Sequence, residues 1–249
     1  MGWFEHVFNY CERGLDPSFW AEPFNAVSNG AFLVTAGAGA LTLRRSRAPG
    51  REPGQGRAER LALWGLVGLV AVIGLGSFLF HTFATRWALI ADVAPITVFM
   101  VVYLGYALRV FIGLGRWVTG LAVAAFLMVG SGASRLACAV HQAAPGASVA
   151  ATEPCFNGSL GYVPALVAMV VVGMLAQRKR EAAAGKLLAA AVVFVVSVVL
   201  RTIDRDVCEA TWLLGQVRGT HALWHLLNAV TLWLLLSAAI MEGRQGRQR

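Results

Sequence analysis

The sequence predicts an all-α membrane protein: one domain built as a bundle of seven transmembrane helices, with its N-terminus outside and its C-terminus cytoplasmic. Three observations predict it. Only 14% of the 249 residues are charged and 57% are hydrophobic, whereas soluble domains carry about 25% charged residues. The apolar residues gather into seven stretches close to the ~20 residues that a helix needs to cross a bilayer. The basic residues alternate along the chain: fifteen of the 21 Lys and Arg residues fall in alternate connecting segments and the C-terminal tail. The positive-inside rule assigns that set to the cytoplasm. The pI near 10.0 is therefore a topology signal and not a nucleic-acid footprint.

Residues 1–23, "MGWFEHVFNYCERGLDPSFWAEP", form an outer segment. It is polar and aromatic with no early apolar core, so no removable signal peptide is expected. The first span, 24–43, opens on Asn25, Ser28 and Asn29, polar groups at helical spacing that either bind neighbouring helices or face a cavity. Residues 44–60, "RRSRAPGREPGQGRAER", read as a flexible basic cytoplasmic loop. The second span, 61–83, closes on "GSFLFHTF", and the third, 88–108, opens on "ALIADVAPI", so the two make a hairpin with a short outer turn. The fourth span is 117–139. The fifth, 160–177, follows "FNGSLGYVP", with Tyr162 as an interfacial anchor. The sixth, 187–203, is the shortest, and the seventh, 221–240, opens on "HALWHLLNAV".

An ionisable group in mid-bilayer costs at least about 2.5–3.5 kcal/mol, so such groups are functional candidates. His81 closes the second span, Asp92 opens the third, and His221 with His225 opens the seventh. All four therefore reach the same depth, just beneath the outer (periplasmic or luminal) interface. His221 and His225 are four residues apart and share a helical face, a favourable arrangement for two ligands of one metal. A third histidine at that depth makes a three-histidine zinc site with an open position for water. Ser77 lies one turn before His81 and faces the same cavity, and Asp92 is placed to take a proton from the water. The plainer readings are a histidine bonding a neighbouring helix, an Arg86–Asp92 clamp and a small Ser77 for close packing. A retinal-type protein is excluded, because Lys179 and Lys186 are both cytoplasmic.

The outer segment carries a second cluster of oxygen donors, Asn9, Glu12, Asp16 and Glu22. It suits a hard cation such as Ca²⁺, or else is an acidic cap neutralised by Arg13 or by loop arginines. The four cysteines, Cys11, Cys138, Cys155 and Cys208, all fall on the outer side, where two disulfides are expected. Three pairings are open.

These pieces, "YCER…FWAEPFNAVSN", "GSFLFHTFATRWALIADVAPI" and "HALWHLLNAV", resemble the alkaline ceramidase family, along nearly the whole chain. The resemblance implies that His81, His221 and His225 bind zinc, that Asp92 activates the bound water, and that Ser77 stabilises the oxyanion. It also implies a calcium site on Glu12, Glu22, Asn9 and the Tyr10 carbonyl. Asn9 stands where an aspartate is expected and Gly14 where a side-chain ligand is expected, which weakens that site or recruits Asp16. The family's disulfide joins the N-terminal segment to the loop before the last helix, which favours Cys11–Cys208 and leaves Cys138–Cys155.

The expected function is a zinc-dependent amidohydrolase acting on ceramide or a similar membrane lipid. The alternative is a seven-helix receptor or sensor of the related progestin and adipoQ receptor type, with a structural zinc site. A proton-coupled transporter would need polar residues continuing to the cytoplasmic side, and the inner halves of these spans are almost wholly apolar.

Overall fold

The computed structural model describes residues 2–46, 57–139 and 152–245. Among them, seven segments are long and apolar enough to cross a membrane: Pro23–Arg45, Arg57–Phe83, Arg86–Val110, Arg116–Ser134, Cys155–Arg178, Ala184–Ile203 and His221–Met241. Each falls on an expected span. The centre of the basic loop, 47–56, lies outside the described residues, as do Arg247 and Arg249.

The first span is two helices, α1 (Pro23–Ser28) and α2 (Gly30–Arg45). Helices α3 (Arg57–Phe83) and α4 (Arg86–Val110) form the hairpin, and α5 (Arg116–Ser134) follows. The fourth span ends at Ser134 rather than at 139. Ala137–Ala139 (β1) instead pairs antiparallel with Thr152–Pro154 (β2), and the Cys138–Cys155 disulfide closes the pair. A pairing strand needs extended backbone, so the apolar run cannot stay helical to its end. The fifth span starts as a 3₁₀ helix, Cys155–Tyr162, and continues as α6 (Val163–Arg178). Helix α7 (Ala184–Ile203) is followed by a small hairpin, Trp212–Leu213 (β3) with Gln216–Val217 (β4), and then by α8 (His221–Gln245).

Helix α8 is the hub. The Thr35 hydroxyl on α2 donates to the Ala229 carbonyl (3.1 Å), Tyr103 on α4 to Leu235 (2.9 Å) and Ser197 on α7 to Trp224 (3.1 Å). Inter-helix hydrogen bonds of this kind contribute on average about 0.6 kcal/mol each in membrane proteins. They hold α8, and with it two histidines, in one register against three neighbours. Helix α5 is peripheral; Thr119 is its one buried residue.

The α3–α4 contact is set by two residues that only work together. Pro95 has no N–H, so the carbonyl of Ala91, four residues earlier, has no helical donor. That carbonyl faces Gly76: a Cβ added at Gly76 would lie 2.0 Å from the Ala91 oxygen. The bare glycine lets α3 close onto the loosened carbonyl of α4. Ser77 and Asp92, the next residues of each helix, are thereby brought to one cavity. Gly76→Ala is expected to force the helices apart, with a thermal midpoint well below wild type. A variant with the wild-type midpoint would contradict this packing.

Candidate metal centre and active site

His81, His221 and His225 converge as expected. Each offers one ligand atom, and these atoms lie within 4.8 Å of one another. All three side chains are buried.

Their outer neighbours set which nitrogen faces inward. The Ser28 hydroxyl donates to the Asn25 carbonyl at 2.8 Å, so its oxygen is free to accept from His225 Nδ1 at 2.7 Å. Nε2 of His225 is then the nitrogen left to face the other rings. Nδ1 of His81 donates to Glu22 Oε2 at 2.5 Å, which leaves Nε2 of His81 facing the other rings. Burial alone would raise the Glu22 carboxyl, but His81 and the hydrogen bonds from His81, Asn25 and Arg13 outweigh it and hold it below the usual range. The Tyr10 ring stacks on His221 with centroids 3.7 Å apart.

The site also contains buried polar atoms without a protein partner: His81 Nε2, His221 Nδ1 and Asp92 Oδ1. Buried polar atoms are almost always hydrogen-bonded. Unpaired atoms on two histidines of one cluster, with a third on nearby Asp92, therefore call for a bound group. Three imidazole nitrogens are the donor set that suits zinc, so the residues fit a metal of that class.

Ser77 lies beside Asp92, and both line a cavity of about 150 Å³. The cavity starts at Asn9, Tyr10 and Arg201 by the histidines and runs between the helices to Ala107 and Leu187. Along α4 it follows Leu89 to Ala107, about 27 Å at the helical rise. Its walls away from the histidines are mostly apolar.

Several residues of this site escape a reading of spacing alone. Asp204 is fully buried: Oδ1 accepts from the backbone N–H groups of Thr220 (2.7 Å) and His221 (2.9 Å), and Oδ2 from that of Cys11 (3.0 Å). One carboxylate thus caps the helix that carries two histidines and ties the N-terminal segment to it. Burial pushes the Asp204 carboxyl up in spite of these donors. Gly219 is required beside it: its φ is +67°, and an added Cβ would meet Asp204 Oδ1 at 2.2 Å. The Cys11–Cys208 disulfide fastens the same two segments, as the resemblance implied. Arg201 is one more such residue. It donates to the Asn157 carbonyl (2.5 Å) and to Ser159 Oγ (3.0 Å), lies over the Tyr162 and Trp224 rings, and lines the cavity. An arginine at the end of the apolar run "VSVVLRTID" was the available signal. Among the described residues Arg86 pairs with Glu5 at 3.0 Å, while Asp92 lies beside Ser77, so the clamp reading has no support.

The oxygen donors expected to hold calcium are dispersed. Glu12 accepts from the N–H groups of Phe24 (2.9 Å) and Asn25 (2.8 Å) and from Arg218 (2.9 Å), so it caps α1. Asp16 is exposed and accepts from the Ser18 N–H. Asn9 lines the cavity, and the Tyr10 ring is on His221. Glu22 is shared between Arg13, Asn25 and His81. As arranged here these side chains do not fit a calcium ion.

No curated protein matches the chain. The model of the Ceramidase family, by contrast, matches residues 6–248, nearly its whole length. With three buried histidines clustered beside a largely apolar cavity that Ser77 and Asp92 line, the chain belongs to the Ceramidase family.

Proposed function

We propose that the protein is a zinc-dependent intramembrane amidohydrolase that cleaves the N-acyl bond of ceramide or a related N-acyl lipid to a fatty acid and a sphingoid-type base. Family membership supports ceramide amide hydrolysis in general terms. The observation that carries the finer reading is the cavity: one long, largely apolar cavity is lined at its head by Ser77, Asp92, His221 and His225.

His81, His221 and His225 would hold the zinc, which when bound would supply a Lewis acid and make a water acidic enough to lose a proton near neutral pH. The chain's own groups do the rest. Asp92 takes the proton of the attacking water as the new C–O bond forms at the amide carbon. It returns that proton to the nitrogen as the C–N bond breaks, so the base leaves as a neutral amine. The Ser77 hydroxyl donates to the oxygen on which negative charge develops. The acyl chain lies along α4 between Leu89 and Ala107, which excludes water from the reacting carbon. The head group then meets Asn9 and Arg201, whose guanidinium donates to its oxygens.

Incubation of the purified protein with defined N-acyl lipids in ¹⁸O-water tests the reading by mass spectrometry. One label is expected in the released fatty acid and none in the amine product. A failure to cleave ceramide or any N-acyl lipid of a native membrane extract would sink it.

A further inference from the structure

The outer segment already contains a cation. The Arg13 side chain is 0% exposed. Its Nε donates to Glu22 Oε1 at 2.5 Å. Nη1 donates to the carbonyls of Asp16 (2.9 Å) and Ser18 (2.7 Å), and Nη2 to those of His81 (2.9 Å) and Thr82 (3.2 Å). A guanidinium has five N–H donors, and all five are matched.

The acceptors are one carboxylate and four carbonyl oxygens, contributed by the 16–18 turn, by Glu22 and by the last turn of α3. Converging carboxylate and carbonyl oxygens are what a hard cation such as Ca²⁺ selects, with six to eight ligands at about 2.3–2.6 Å. Here the guanidinium fills that cage, and an ion cannot share it. The charges agree: one Glu22 carboxylate faces one guanidinium, while Glu12 is paired separately with Arg218.

We propose that Arg13 is the built-in cation of this site: it does the holding expected of calcium, and the protein binds no calcium there. Arg13 also positions His81, and from two directions. Nη2 holds the His81 carbonyl, which is an orphan acceptor at the C-terminal end of α3. Nε holds the Glu22 oxygen opposite the one that His81 Nδ1 contacts. A carboxylate behind a ligand histidine fixes its tautomer and ring orientation, and Arg13 fixes that carboxylate. The positioning half rests on the metal reading of the histidines; the calcium half does not.

Equilibrium dialysis of the purified full chain against ⁴⁵Ca²⁺ tests the first half, up to about 1 mM, the weak end of protein calcium sites. No saturable binding and no calcium-dependent change in thermal midpoint are expected. One bound calcium per chain with a raised midpoint would overturn it. For the second half, zinc affinity is measured by chelator competition, far below the thermal midpoint, in Arg13→Lys and Arg13→Gln. Lysine keeps the charge but not the planar fork, so both variants are expected to bind zinc about 10–100-fold more weakly. A lowered midpoint with wild-type zinc affinity would leave Arg13 a structural role only and overturn the positioning claim. Should neither variant fold, Glu22→Gln breaks the same chain of contacts, and unchanged zinc affinity in it is equally fatal. Wild-type protein unable to bind zinc would defeat the proposed function and the positioning claim together, while the calcium result would stand on its own.

Discussion

Asp92→Asn is expected to lower amide hydrolysis by about 10²–10⁴-fold, the contribution of a well-placed general base, while the metal stays bound. Asparagine has the shape of aspartate but cannot take up the proton. It leaves the α3–α4 packing at Gly76 and Ala91 untouched. The proposed ligand atoms are imidazole nitrogens on other residues. Lost turnover with wild-type metal content therefore isolates the proton-transfer role. If the variant keeps more than half of its turnover, Asp92 is not the base. A receptor of the progestin and adipoQ type, with a structural zinc, then becomes the better account.

Removing a ligand is expected to act more broadly. His81→Ala and His221→Ala should each abolish stoichiometric metal binding and with it hydrolysis. The two ligand atoms that remain cannot make the three-point set that catalytic zinc sites use. The variants differ in their side effects. His81→Ala also strips Glu22 of a buried partner, which costs on the order of 1–3 kcal/mol, so its thermal midpoint should fall further. His221→Ala removes the ring on which Tyr10 stacks but leaves the backbone N–H in the Asp204 cap. Metal content is read per folded chain after size exclusion. Full metal retention by both variants would show that the histidines hold no metal.

The spans and the three histidines were legible in the sequence because their signals are local or cumulative. Hydropathy sums over about 20 residues, and His221 and His225 share a face by helical spacing. Adding His81 and Asp92 needed only the depth at which each apolar run ends. What escaped depends on which group satisfies which across the fold. The N-terminal acids looked alike as donors, yet Glu12 caps α1, Asp16 faces solvent and Glu22 stands behind His81. An arginine two residues from Cys11 carries no sign that all its donors will be matched. Asp204 lies in an acidic loop, but its cap on α8 and its bond to the Cys11 N–H join groups that only the fold brings together. The break after Ser134 was hidden because a pairing strand and an apolar helix share composition. Ser77 reads as facing the cavity or as a small residue for close packing, and nothing in the spacing singles out its neighbour Gly76. The partner that makes Gly76 necessary, the Ala91 carbonyl freed by Pro95, is a feature of two helices at once.

The central claim is that the histidine cluster holds a metal on which amide hydrolysis depends. Metal analysis of the purified protein, coupled to ceramide hydrolysis before chelation, after it and after zinc is restored, tests this most directly. One zinc per chain is expected, with hydrolysis lost on chelation and recovered on adding zinc. Undiminished hydrolysis by metal-free protein would contradict it.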